Sequence, residues 1–180
     1  MSKITFITSH PQKAEQLGWH LDYQIDHKKL DLPEIQSLDL EEVVSHKAYE
    51  AFRQVGSPVL VEDMSLRFLA LEGLPGPLFK WFLQELRVEG LCKLLDGYKD
   101  RTAVAEVSFA LYDGKDLNLF GGSLDGKIAS LPRGEAVFEM DSIFIPNGSQ
   151  KTWAEMNKEE QIETSVRRIA LKKLGDFLKK

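Results

Sequence analysis

Two carboxylates, Glu62 and Asp63, stand side by side in "PVLVEDMSLRF" (58–68), directly after a short run of apolar, strand-favouring residues. Adjacent anions repel, and a buried strand more commonly ends in Gly, Asn or Ser, so the pair asks for a positive partner. Four cations occupy apolar surroundings. Lys13 lies one helical turn before Leu17 and two before Leu21, and Lys47 falls four residues after Val43 and four before Ala51. Arg167 precedes Leu171 by four residues and Leu174 by seven, and Lys80 sits inside "LFKWFL". Taken singly, each admits the plain reading of a long stem packed on the core with its head in water. Four together in an acidic chain point to a shared anionic ligand. Lys13 is also near the start of its helix, where free backbone N–H groups already attract phosphate. Mg²⁺ is a hard cation held by one or two carboxylates plus substrate phosphates, so carboxylates facing inward lysines suggest a metal and polyphosphate site. Without those lysines, Glu62 and Asp63 read equally well as a solvated strand end.

The elements that must place these groups follow from periodicity. "ITFIT" (4–8) reads as a strand and "HPQKAEQLGWHL" as the helix after it, with Pro11 suited to the first helical position. From Asp39 to Val55 the apolar residues repeat with helical spacing, and Pro58 to Val61 reads as a strand. Helix-like segments follow around "GPLFKWFLQEL" and "EGLCKLL". Then "AVAEVSFALYDGKDLNLFGG" reads as two strands joined at Asp113-Gly114, and "GEAVFEMDSIFIP" as another strand region. An amphipathic helix over "NKEEQIETSVRRIALKKLGDFLKK" closes the chain, its final lysines suited to the negative end of the helix dipole. Helices flanking a sheet that contains an antiparallel hairpin make an α/β protein.

With 180 residues and 43% hydrophobic content, the chain can bury a full core as one domain, 1–180, with room for two lobes. Its net charge of −5 leaves no footprint for a nucleic acid polymer, but is compatible with a local basic pocket for a small anion. No apolar stretch suits a signal segment or approaches the roughly twenty residues of a membrane span, so a soluble, cytoplasmic protein is expected. Cys92 is the one cysteine, which excludes an intramolecular disulfide and a thiolate metal cage, and its neighbours Leu91 and Leu94 favour plain core.

The block "PVLVEDMSLRFLALEGLPGPLFKWFLQELRVEGLCKLL" resembles the core of the inosine/xanthosine triphosphate pyrophosphatase family. "TSHPQK" stands where that family has a Thr-Gly-Asn-x-x-Lys loop, "DLPEIQ" is its next motif, "TWAEM" appears late, and "SVRRIAL" falls where a Ser-His-Arg motif is usual. The resemblance covers essentially the whole chain. It implies an elongated α/β fold with a long central mixed sheet flanked by helices, two lobes with a substrate cleft between them, and a homodimer. It further implies Mg²⁺-dependent hydrolysis of a nucleoside triphosphate to the monophosphate and pyrophosphate. On this mapping Glu62 and Asp63 are the catalytic carboxylates, with Asp63 as general base and, together with Glu34, metal ligand. Thr8, Ser9, His10, Lys13, Lys47, Met64, Lys80 and Arg167 fall at substrate-contacting positions.

The departures gather on base recognition. Where the family reads its purine with Phe-Gly-Trp-Asp, a Lys at the start of the last helix and the His of Ser-His-Arg, this chain has Phe138-Glu139-Met140-Asp141, Gln161 and Val166. His10 replaces the loop Asn, and Met64 a Thr or Ser. Sites that hydrogen-bond a substrate group reject analogues lacking it far more strongly than apolar pockets do. Losing His and Lys donors is therefore expected to weaken or change the preference for keto purines. Met140 also reads as an apolar filler, and Gln161 can still donate a hydrogen bond. Two further readings stay open: the same chemistry on a different or broader set of nucleotides, and a nucleotide-binding protein without turnover.

Overall fold

Residues 4–21, 25–136 and 138–179 are described by the structure, a computed structural model of the chain. Val137 and Lys180, inside segments read above as strand and helix, lie outside the described residues. Five helices and seven strands are seen among those described. β1 (Thr5–Ile7) leads into α1 (Pro11–Leu21), and β2 (Asp26–Lys28) precedes α2 (Leu40–Val55). β3 (Val59–Phe68) and the short β4 (Pro75–Gly76) are followed by α3 (Phe79–Lys93), then by β5 (Thr102–Tyr112) and β6 (Leu117–Ile128). β7 (Phe144–Pro146), α4 (Lys158–Glu163) and α5 (Val166–Leu178) complete the chain.

The strands form one mixed sheet in the order β2-β1-β3-β5-β6-β7, with β4 beside β3. β1 runs parallel to both its neighbours, pairing Phe6 with His27 of β2 and with Leu60 of β3. β4 and β7 run antiparallel to β3 and β6. The turn between β5 and β6 is fixed by Asp113, whose carboxylate accepts the N–H groups of Lys115 and Asp116, and by Gly114 at φ 97°. The chain divides into two compact units: Met1–Met64 with Val107–Gly122 and Arg167–Lys180, and Ser65–Glu106 with Ser123–Val166.

In the first unit, Ile7, Val44, Ala48, Ala51, Val59, Val61 and Ala110 form a buried cluster between α2 and one face of the sheet. α2 begins where Asp39 accepts the N–H groups of Glu41 (2.9 Å) and Glu42 (3.3 Å), and it ends at Gly56, whose φ of 72° closes the last turn onto Phe52 O. In the second unit, Arg101 donates to the carbonyls of Cys92 (2.7 Å), Ala129 (2.8 Å) and Ile128 (2.9 Å), tying α3 to the end of β6. Cys92 is buried core, and burial pushes its thiol up to about 11.

Four sequence expectations are corrected. β3 does not stop at Val61 but runs through Glu62 and Asp63 to Phe68, because ion pairs satisfy the two charges inside the strand. "GEAVFEMDSIFIP" is strand only at its end. Glu139–Ser142 form a 3₁₀ turn in which the Asp141 carboxylate accepts the Phe138 N–H. The closing helix is two helices, because Thr164 leaves the helical path and turns its hydroxyl back onto Glu160 O (2.8 Å). Lys80 is exposed with Trp81 while Phe79 is buried, so this apolar run shows solvent one flank of α3, and the Lys80 ammonium lies 5.5 Å from the Trp81 ring centroid. The two helix-like segments of α3 are separated at Arg87, where the backbone turns to φ 57°.

Candidate active site

Successive side chains on a strand point to opposite faces, so Glu62 and Asp63 do not share partners. Glu62, 7% exposed, accepts from Lys13 Nζ at 2.9 Å and from Arg167 at 2.6 Å. Burial alone would push its carboxyl up, but the two cations outweigh burial and hold it below the usual range. Asp63 belongs to a different set. Its Oδ1 accepts the Met64 N–H and its Oδ2 accepts from Lys47 Nζ, both at 2.9 Å. Lys47 Nζ also donates to Glu34 Oε1 (3.3 Å) and to the Glu62 backbone carbonyl (3.2 Å), so three acceptors meet the three donors of its ammonium. Burial pulls the Lys47 pKa down, Asp63 and Glu34 pull it up, and the carboxylates prevail.

The two sets are of opposite make-up. Glu62 meets two cations, whereas Lys47 meets two carboxylates. The Glu62 set is reinforced by backbone. Lys13 and Arg167 both sit in the first turn of their helices, at the end where the dipole disfavours cations, and neither first turn holds an acidic residue. Arg167 is further oriented by the Phe109 ring, 5.8 Å from its guanidinium carbon.

The loop Thr8-Ser9-His10 joins β1 to α1, with the Thr8 hydroxyl accepting the His10 N–H at 3.1 Å. Continuing the parallel register of Phe6 with Leu60 brings this loop, just past the carboxyl end of β1, level with Glu62 of β3. The loop, three cations from three helices (Lys13, Lys47 and Arg167), Glu34 from the segment before α2, and the acidic pair all belong to the first unit.

The residues at the base-reading positions, Phe138, Met140, Asp141, Gln161 and Val166, lie in the second unit. Met140 and Val166 are buried, at 5% and 4% exposure. Gln161 donates its side-chain amide to Trp153 O at 2.8 Å, which commits one of its two N–H donors. Asp141 is half-buried, and burial pushes its carboxyl up to about 6 against the pull of the Phe138 N–H. Sequence reasoning did not find Phe109 beneath Arg167 or the fixing of Asp63 by the Met64 backbone. Neither leaves a sequence signal, because one contact joins residues far apart in the chain and the other uses an N–H that any residue but proline supplies.

A mixed sheet in which β2, β1 and β3 run parallel, flanked by helices and carrying ion-pair clusters around Glu62 and Asp63 of β3, defines an α/β protein. The chain belongs to the Ham1 family, whose model matches residues 4–177. It is similar to the Ham1 protein of Staphylococcus aureus, at 26% identity over 98% of each chain with a TM-score of 0.85. A HAM1 protein from Coxiella burnetii is similar at 26% identity over 99% of each chain, TM-score 0.86. A nucleoside-triphosphatase, or dITP/XTP pyrophosphatase, from Mycobacterium abscessus matches at 27% identity, covering 96% of this chain and 98% of that one, TM-score 0.75.

Proposed function

We propose that this chain is a nucleoside triphosphate diphosphatase that cleaves ITP, dITP or XTP to the monophosphate and pyrophosphate, acting as a cytoplasmic homodimer on free nucleotides. The observation that carries this reading is the pair of ion-pair sets on the two faces of β3, one with two cations and one with two carboxylates: a triphosphate needs cations, and its metal needs carboxylates. Family membership and the likeness to a dITP/XTP pyrophosphatase support it.

Asp63 and Glu34 offer only carboxylate oxygens, both directed at one ammonium and both partly open to solvent. This donor chemistry fits Mg²⁺, which takes hard oxygen ligands and keeps phosphates and waters in its remaining positions. Among the described residues no group of three or more His, Cys, Asp or Glu forms a cage, as suits an ion shared with substrate. Bound there, Mg²⁺ would neutralise phosphate charge and acidify water. Asp63 takes the proton as the water oxygen bonds to the α-phosphorus, while the bond from that phosphorus to the bridging oxygen breaks and pyrophosphate leaves. Lys47 holds Asp63 in one orientation through Oδ2. Lys13, Arg167 and the start of α1 offset the charge of the departing pyrophosphate. Thr8, Ser9 and His10 shape the loop beside it.

A broader base range is the second reading, favoured by the buried Val166 and the committed Gln161. Both leave Phe138, Met140 and Asp141 with a larger share of base contact. A panel of ITP, dITP, XTP, ATP, GTP and pyrimidine triphosphates, assayed for pyrophosphate release, tests both readings. The expected result is Mg²⁺-dependent turnover with a modest ratio of kcat/KM for ITP over ATP. Asp63→Asn should lower kcat by about 10²–10⁴-fold with the fold intact. A folded enzyme that binds the panel and turns over none of it would establish the silent nucleotide-binding protein instead.

A further inference from the structure

The adjacent carboxylates divide their work. Asp63 is about one-fifth exposed and shares Lys47 with Glu34, whereas the Glu62 side chain is only 3% exposed and both its oxygens are engaged, Oε1 by Lys13 and Oε2 by Arg167. A carboxylate in that state is poorly placed to accept a proton from water or to ligate a metal. Its partners arrive from opposite ends of the chain, Lys13 in the first turn of α1 and Arg167 in the first turn of α5. Two ammonium-type charges held beside one another, each at the positive end of a helix, repel strongly at low dielectric. The buried carboxylate is what lets them share one place.

We infer that Glu62 is a positioning residue: it clamps Lys13 and Arg167 into a preformed receptor for the phosphates of the substrate and for pyrophosphate, and takes no part in proton transfer or metal binding. This rests on the proposed triphosphate reading only for the identity of the anion. The clamp sets one carboxylate against two cations. The Phe109 ring lies 5.8 Å from the guanidinium carbon of the same Arg167 that Glu62 holds.

The test is a double-variant cycle of Glu62→Gln and Lys13→Met, read in kcat, in KM and in the dissociation constant of inorganic pyrophosphate. Glu62→Gln is expected to raise KM and the pyrophosphate constant at least tenfold while kcat stays within about threefold. The double variant should lose clearly less than the product of the two single losses, because Glu62 acts in part through Lys13 and keeps only Arg167 once Lys13 is gone. Should Glu62→Gln not fold, Glu62→Asp, which keeps the charge and shortens the reach, enters the same cycle with the same expectation of non-additivity. A fall in kcat with KM unchanged would place Glu62 in the chemistry and overturn the inference, as would losses that multiply in the double variant. Tighter pyrophosphate binding in Glu62→Gln would also overturn it, showing that the carboxylate merely competes with the ligand. If the wild-type protein hydrolyses no nucleotide, the functional reading fails, and the cycle on pyrophosphate binding still decides the role of Glu62. Failure of the wild-type protein to bind pyrophosphate would defeat the clamp.

Discussion

Each carboxylate of this protein answers to its surroundings, and acid exposes the difference. Glu62 titrates lower in the folded chain than in the unfolded one, so its contribution is complete above the unfolded value, near pH 4.3, and is lost as pH falls through the lower folded value. Asp141 behaves oppositely. Its folded pKa of about 6 exceeds the unfolded 3.8, so the folded state holds the extra proton between those values and stability falls as pH rises through them. Above pH 6 the buried charge costs at most about 3 kcal/mol. Asp141→Asn retains an oxygen for the Phe138 N–H and should therefore raise the melting temperature by several degrees at pH 7.5 and by little at pH 4.5. Equal shifts at the two pH values would show that Asp141 meets a counter-charge. Lys13, Lys47 and Arg167 were legible in sequence because a cation on an inward helical stripe must find an anion, and each of these does. Lys80 is exposed although it sits inside an apolar run, since one residue in a helical turn can point outward from such a run.

Helix α2 shows how an element holds a site without touching ligand. It places Lys47 one turn from the buried Val43, Val44 and Ala51, and its first turn is fixed by the Asp39 carboxylate. Asp39→Ala removes that cap and should cost about 1 kcal/mol, or roughly 2–4 °C in Tm for a chain of this size. A thermal melt checks the cost, and an unchanged Tm would mean that the cap is redundant. The helical stripe and the terminal Gly56 made α2 readable almost residue for residue. β3 was readable only to Val61, since local propensity ends a strand at two charges that tertiary partners in fact satisfy. The break between α4 and α5 was hidden for a similar reason: apolar spacing continues across Thr164 and Ser165, while the hydroxyl of Thr164 has turned back onto Glu160. β2, with three exposed polar residues, carries no pattern at all and exists because β1 supplies a parallel partner.

At the scale of the whole molecule, neither compact unit is a contiguous piece of chain. The first draws on three segments and the second on two, and β3, β5 and β6 each contribute residues to both. The C-terminal segment brings the first unit Arg167 and the buried Ala170, Leu171 and Leu174. A chain ended after Ser165 should therefore lose cooperative unfolding and pyrophosphate binding together, and limited proteolysis should cut it within residues 1–64 as readily as near its new end. Retention of a sharp melting transition would show that the first unit closes without α5. The α/β class and the mixed sheet were accessible from the alternation of helices and strands, but the interleaving was not, because it depends on which distant segments pack together.

Alternation along β3 also limits the kinds of inherited change the site can absorb. A point substitution at Glu62 or Asp63 touches one charge set and leaves its neighbour's partners in place. Loss or gain of a single codon between Val59 and Asp63 is a different event, since it would turn each carboxylate toward the other's cations and leave both sets wrong at once. The five residues from Val59 to Asp63 must therefore keep their number wherever both sets of ion pairs are to be kept.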